Sequence, residues 1–294
     1  MEKLVQIKNL NVSFKQFTAL KNINCTITSD SSVVGLIGPN GAGKTTLIHS
    51  ILEQIKINSG DIICNLDTIA YCPDTPEFDN YITAAEVLKQ SLNLKGLSDS
   101  KEEIAKALKQ VGLYDSQNRF AGEFSRGMKQ RLGIAAAIIL KPKLLFLDEP
   151  TSALDPFGRE DILSLINKLS KEITVVLSSH ILNDVQRVAN NLLVLNQGEL
   201  LFEGSTTDFI RKTEVNGVIT LKSGNCKEQV SQKLAKAKIP VIDENMIDKL
   251  FFPQAYLSEV FSIFSVNAEG VKGINLEGYS LESAFNHIMR REEE

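Results

Sequence analysis

Apolar and polar residues alternate near the N-terminus: Val5 and Ile7, then Leu10, Val12 and Phe14, then Ile23, Cys25 and Ile27. This period of two predicts short strands with one buried face. "SVVGLIG" (32–38) is an unbroken apolar run, the pattern of a strand buried on both faces. A glycine-rich turn follows, then "KTTLIHSILEQI" (44–55). Its Leu47, Ile48, Ile51, Leu52 and Ile55 share one helical face.

From about 76 to 140 the pattern is helical. Thr83 to Glu86 has the form of a capping box. Ile104, Leu108 and Val111 line a second helix, and Ser125 stands as the natural N-cap of a third that runs to Leu140. Strand character returns with "LLFLD" (144–148). Asp155-Pro156 then gives an N-cap and a first-turn proline for a helix carrying Ile162, Leu165, Ile166 and Leu169. "ITVVLSS" predicts another buried strand, "LLVLNQGELLFEG" a hairpin turning at Asn196 to Gly198, and "STTDFIRK" a short capped helix. Short strands and helices then alternate. The expected division is 1–213 for a main domain and 214–294 for a small accessory α/β module.

Composition narrows the class without choosing it. The 294 residues are 43% hydrophobic and 23% charged, ordinary for a globular chain. The net charge of −4 argues against a general nucleic-acid binder. Four cysteines, none in a CxxC pair, suggest neither a zinc site nor a disulfide framework and fit a reducing compartment. No run approaches the ~18 to 20 apolar residues of a membrane span.

Two stretches carry explicit chemistry. "GPNGAGKTT" comprises Gly38, Pro39, Asn40, Gly41, Ala42, Gly43, Lys44, Thr45 and Thr46, and contains G-x-x-x-x-G-K-[ST] between a strand and a helix. In that context the backbone N–H groups cradle phosphates, Lys44 reaches the terminal ones, and Thr45 offers a hydroxyl to Mg²⁺. "LLFLDEP" puts Asp148 at a strand end, suited to a Mg²⁺ shell, with Glu149 next to it, suited to polarise water. A third stretch, "FSRGMKQR" (124–131), is open to three readings. It is a basic patch, a solvated helix start, or half of a phosphate site completed by another chain.

In this order the motifs resemble the nucleotide-binding subunit of ABC transporters, over residues 3–212. The likeness makes "GPNGAGKTT" the Walker A motif, "FSRGMKQR" the signature, "LLFLDEP" Walker B and His180 the H-loop histidine. Ser152, Ala153, Leu154 and Asp155 become the D-loop. It implies an α/β fold: a P-loop NTPase core with an N-terminal antiparallel β subdomain, a helical subdomain at about 76–140, and the small C-terminal module. It also implies an ATPase using ATP and Mg²⁺, with Glu149, His180 and Lys44 as catalytic residues and Phe14 against adenine. A buried strand phenylalanine is the rival reading of Phe14. Ser125, Arg126, Gly127 and Met128 are implied to face the γ-phosphate held by a second ATPase subunit. Metal ligation falls to Thr45, Asp148 and Asp74.

Two departures stand out. Arg126 and Met128 replace the first glycine and the glutamine of the commoner LSGGQ, and Asp74 in "YCPDTPEF" replaces the usual Q-loop glutamine. Aspartate can ligate Mg²⁺ but adds charge beside the γ-phosphate. The "SRGM" signature and the ending "GYSLESAFNHI" are similar to ABC-2 type exporter subunits. The resemblance therefore implies a cytoplasmic subunit on the inner membrane face, bound to a separate permease and exporting a drug, peptide, lipid or polysaccharide, with no nucleic-acid partner. An importer subunit, or a regulatory protein with weak hydrolysis, is the alternative.

Overall fold

The computed structural model describes residues 2–30, 32–98, 100–152, 154–211, 216–241, 247–266, 268–277 and 280–291. Strands β1 (Lys3–Phe14) and β2 (Phe17–Thr28) form a hairpin, followed by β3 (Val33–Ile37), α1 (Lys44–Ile51), β4 (Ser59–Cys64) and β5 (Ile69–Cys72). Three helices come next: α2 (Ala84–Leu94), α3 (Lys101–Gln110) and α4 (Arg126–Ile138). Then come β6 (Leu144–Asp148), α5 (Pro156–Leu169), β7 (Thr174–Ser179), α6 (Leu182–Val188), β8 (Asn191–Asn196), β9 (Glu199–Ser205) and α7 (Thr206–Arg211).

The N-terminal strands are longer than the alternation predicts, at 12 residues each. Asn9 and Asn22 both adopt φ of 48° and put register shifts into the pairing, which interrupts the period of two. Their backbone N–H groups are met by Asn24 Oδ1 and Asn11 Oδ1, each at 2.9 Å. Asparagine tolerates this left-handed backbone because its short amide bonds locally. Helix α1 is shorter than predicted. Glu53 turns left-handed at φ 56°, ending the helix at Ile51, although Leu52 and Ile55 still pack on the core.

β2, β1 and β4 form a three-stranded antiparallel sheet, while the main sheet has six strands in the order β5-β6-β7-β3-β8-β9. β3, β6 and β7 pair in parallel and are buried throughout, as strands covered on both faces must be. One apolar core joins Val5, Leu10 and Leu20 of the small sheet to Leu47 and Ile48 of α1 and Phe146 and Val176 of the main sheet. The capping box at Thr83 forms with both of its hydrogen bonds present, and Ser125 and Asp155 cap α4 and α5.

Contacts divide the chain into two units, residues 1–206 and 207–294. The boundary expected at 213/214 lies outside the described residues. The second unit contains β10 (Asn216–Leu221), α8 (Lys227–Lys236), β11 (Lys249–Pro253), α9 (Leu257–Val266), β12 (Val271–Glu277) and α10 (Leu281–Arg291). Its antiparallel sheet runs β11-β10-β12 around its own core, in which Ile219, Leu234, Phe252 and Phe264 are buried. Among the described residues, no helix is long and apolar enough to cross a membrane.

Candidate functional site

Parallel strands bring their carboxyl ends to one edge, where open α/β sheets bind ligands. Here β3, β6 and β7 end together: Ile37 is level with Ser179, and Asp148 with Ser178. The loop 38–43, the Asp148-Glu149 pair and His180 follow immediately. Strand register, not sequence proximity, makes them neighbours.

The phosphate loop is built tightly. Gly43 holds φ 104°, and a Cβ on it would lie 2.8 Å from Ala19 O and from Leu20 Cδ2 of β2. An L side chain is therefore excluded by both strain and space. On the other side, Gly198 N donates to Ala42 O (3.1 Å), and Lys21 N donates to Gly198 O (2.7 Å). The β8–β9 hairpin thus braces the loop and ties it to β2. Phe14 and Phe17 sit at the tip of the β1–β2 hairpin, 47% and 62% exposed. The buried-strand reading of Phe14 therefore falls.

Lys44 is buried to 7% exposure. Its ammonium donates to Gly38 O (2.8 Å) and Pro39 O (3.2 Å) and lies 3.7 Å from Glu149 Oε1. Burial lowers its pKa from the ordinary lysine value, against the opposing pull of Glu149 and Asp148. Thr45 Oγ1 donates to Asp148 Oδ2 at 2.9 Å. Asp148 Oδ1 accepts from Ser178 Oγ, and that same oxygen of Ser178 accepts from Glu149 N at 2.9 Å. Glu149 adopts φ 44°, a left-handed backbone that costs about 1 to 3 kcal/mol for a non-glycine residue. Its Oε2 meets His180 Nδ1 at 2.8 Å. Strain at this residue aims the carboxylate back across the strand ends.

Several contributors carry no sequence motif. Ser178 is fully buried and serves both acids; its signal was a pair of serines ending an otherwise apolar strand. Tyr71, on β5, lies within electrostatic reach of Asp148, and its hydroxyl lies 3.3 Å from His49 Nε2 on α1. Burial foremost, then Asp148 and Asp74, raises the Tyr71 pKa, so it stays a neutral phenol. Next to it Cys72 is buried and its thiol is pushed up to about 12, again by burial first. That thiol is unreactive at neutral pH. Asp74 stands exposed on the following loop, within electrostatic reach of Tyr71.

Thr45 and Asp148 bring together two hard oxygen donors, the kind that Mg²⁺ prefers. No trio of His, Cys, Asp or Glu gathers as a metal cage among the described residues. An ion at this pair would complete its shell with phosphate and water oxygens.

The signature lies on the surface. Ser125 caps α4, accepting from Met128 N at 3.3 Å; Ser125 and Arg126 are exposed, Gly127 and Met128 half-buried. A Cβ on Gly127 would meet only Leu154 Cδ2, at 3.9 Å. Nothing described in its own chain requires a glycine there. Leu154 in turn sets the D-loop against the signature. Ser152 is half-buried and Asp155 caps α5 through Gly158 N at 2.9 Å, while Ala153 lies outside the described residues. Of the basic residues, Arg131 pairs with Asp161 of α5 at 3.8 Å.

Known proteins resemble this chain in sequence and fold. The family described as "ABC transporter" matches residues 20–152. The bacitracin transport ATP-binding protein BcrA of Enterococcus faecalis is 30% identical over 98% of this chain and 97% of its own length. The lantibiotic transport ATP-binding protein SrtF of Streptococcus pyogenes is 36% identical over 68% of this chain and 90% of its own. Among solved structures, the dimeric post-hydrolysis state of an ATP-binding cassette bound to ADP and Pi superposes with a TM-score of 0.61 and 26% identity. That match covers 68% of this chain and 98% of that one. Near-complete coverage by relatives at this identity, with the site built as above, makes this chain an ATP-binding, ATP-hydrolysing subunit of the ABC transporter family.

Proposed function

We propose that this chain hydrolyses MgATP between two ATPase subunits and thereby drives a membrane permease that exports its cargo. One observation carries the catalytic part. The Glu149 carboxylate is fixed between His180 (2.8 Å) and Lys44 (3.7 Å), one residue beyond the Asp148 that holds Thr45. In this reading loop 38–46 wraps the phosphates of ATP, Phe14 stacks on adenine, and Lys44 releases the carbonyls of Gly38 and Pro39 to meet the β- and γ-phosphates. Thr45, Asp148 and Asp74 would hold Mg²⁺, which neutralises phosphate charge when bound.

Glu149 takes a proton from water as the water oxygen bonds to the γ-phosphorus. The bond from that phosphorus to the β–γ bridging oxygen breaks, giving ADP and phosphate. His180 orients Glu149 and contacts the γ-phosphate. The open flank of Gly127 and the N-terminus of α4 supply donors to the phosphate of the facing subunit. Leu154 of the D-loop lies beside Gly127. The bacitracin and lantibiotic transport relatives favour export of a peptide-like compound through a permease at the inner membrane face. Residues 1–213 form the ATPase domain in this reading, 76–140 dock the permease, and 214–294 are accessory.

Light scattering of Glu149→Gln, which keeps the shape of the acid but cannot accept the proton, tests the reading. Mass should double only with MgATP, and turnover should fall about 10² to 10⁴-fold. A chain that binds ATP yet stays monomeric overturns the self-complementary sandwich. Undiminished turnover overturns Glu149 as base.

A further inference from the structure

Helix α4 begins at the signature and passes directly over the loop that carries Asp74. Gln130, one turn into the helix, is 3% exposed. Its side-chain amide donates to Pro73 O at 3.4 Å and approaches Cys72 Sγ at 3.6 Å. One turn further on, Gly133 lies against the same loop. A Cβ there would come within 2.6 Å of Pro76 Cγ and 2.9 Å of Cys72 Sγ. The loop is therefore gripped at both ends: Pro73 by a partly buried hydrogen bond, Cys72 and Pro76 by contact with a residue that has no side chain. Asp74 lies inside the gripped segment.

We infer that Gln130 is a positioning residue for Asp74, and that with Gly133 it locks the Asp74 loop to the signature helix so that the two move as one body. The inference rests on the ATPase reading above and deepens it. Packed interiors transmit displacement because they cannot deform continuously. A shift of α4 when Ser125 and Gly127 meet the phosphate of the facing subunit is carried through Gln130 to Pro73, and so to the adjoining Asp74. Without the amide, the Pro73 carbonyl loses its donor and Asp74 is no longer tied to the helix.

A double-mutant cycle in the full-length chain tests this. Gln130→Leu should lower kcat about tenfold while leaving the KM for ATP within about twofold, because misplacement of a positioned group costs turnover before binding. In an Asp74→Asn background the same change should cost less than about twofold more, since its effect acts through Asp74. Full multiplication of the two losses overturns the proposal and makes Gln130 merely structural. Gly133→Ala, which pushes on Pro76 and Cys72 but keeps the Gln130 amide, should show the same dependence on Asp74.

Hydrogen exchange of residues 74–79 supplies a readout independent of turnover. Their protection should fall in Gln130→Leu relative to wild type, with α5 unaffected. Unchanged exchange overturns the lock. Loosened exchange in a wild-type background that never hydrolyses ATP overturns the ATPase reading and leaves the lock standing.

Discussion

His180 Nδ1 stands 2.8 Å from Glu149 Oε2, although the two residues are separated by helix α5 and all of β7. They meet because β6 and β7 are adjacent and parallel, with Asp148 level with Ser178. Each stands one residue past its strand end. Glu149 reaches its partner only because its backbone is left-handed, so the acid is aimed by strain and held by the imidazole.

His180→Ala should remove both the anchor of Glu149 and a donor to the γ-phosphate. Turnover should fall about 10² to 10³-fold, with ATP binding retained, as removal of a single transition-state donor does. Single-turnover assay and equilibrium ATP titration on the same preparation check it. Parallel losses of binding and turnover would make His180 a ground-state contact instead.

Lys44 gives stability a defined pH dependence. Burial lowers its pKa below the ordinary 10.5, so the folded chain releases this proton at a lower pH than the unfolded chain does. Below the folded value both forms are protonated and the cost of burying the charge is fully present. Between the folded value and 10.5 the unfolded chain binds more protons, and stability from this group rises with pH. The urea midpoint of wild type relative to Lys44→Met should therefore climb across that alkaline window. A flat or falling difference would contradict the lowered pKa. ATP phosphates favour the ammonium, so binding within the window should take up a proton.

Gly198→Ala tests the brace behind the phosphate loop. Gly198 has φ 81°, and a Cβ there would lie 2.6 Å from Ala19 O, which is backbone and cannot swing away. The substitution should cost about 2 to 4 kcal/mol through strain and the displaced Ala42 and Lys21 hydrogen bonds. It should weaken ATP binding as well. Denaturant unfolding with and without ATP separates the two effects, and a loss below about 0.5 kcal/mol would show that the hairpin does not brace the loop.

Phe14→Ala should weaken ATP about tenfold through lost base stacking, within the range for one base on one aromatic ring. Folding stability should change by less than about 0.5 kcal/mol, because the ring is exposed. Its cross-strand neighbour Phe17 is more exposed and serves as the control. If Phe17→Ala carries the loss instead, the platform is Phe17.

The sequence by itself determined the parts and their order. Apolar runs of strand length marked β3, β6 and β7, period two marked the N-terminal sheet, and local side-chain chemistry marked the caps at Thr83, Ser125 and Asp155. The phosphate loop, Asp148 and Glu149 were legible because each is a short contiguous pattern whose chemistry is local. Only the tertiary structure decided who stands beside whom. Ser178 between the two acids, Tyr71 against His49, Gly198 behind Ala42 and Gln130 against Pro73 are contacts between segments separated in the chain. No periodicity encodes them: strand order and register set the neighbours, and close packing removes the alternatives. The left-handed backbone at Glu53 and Glu149 escaped the sequence for a related reason. Glutamate gives no local sign of that conformation, which the surrounding packing and hydrogen bonds impose.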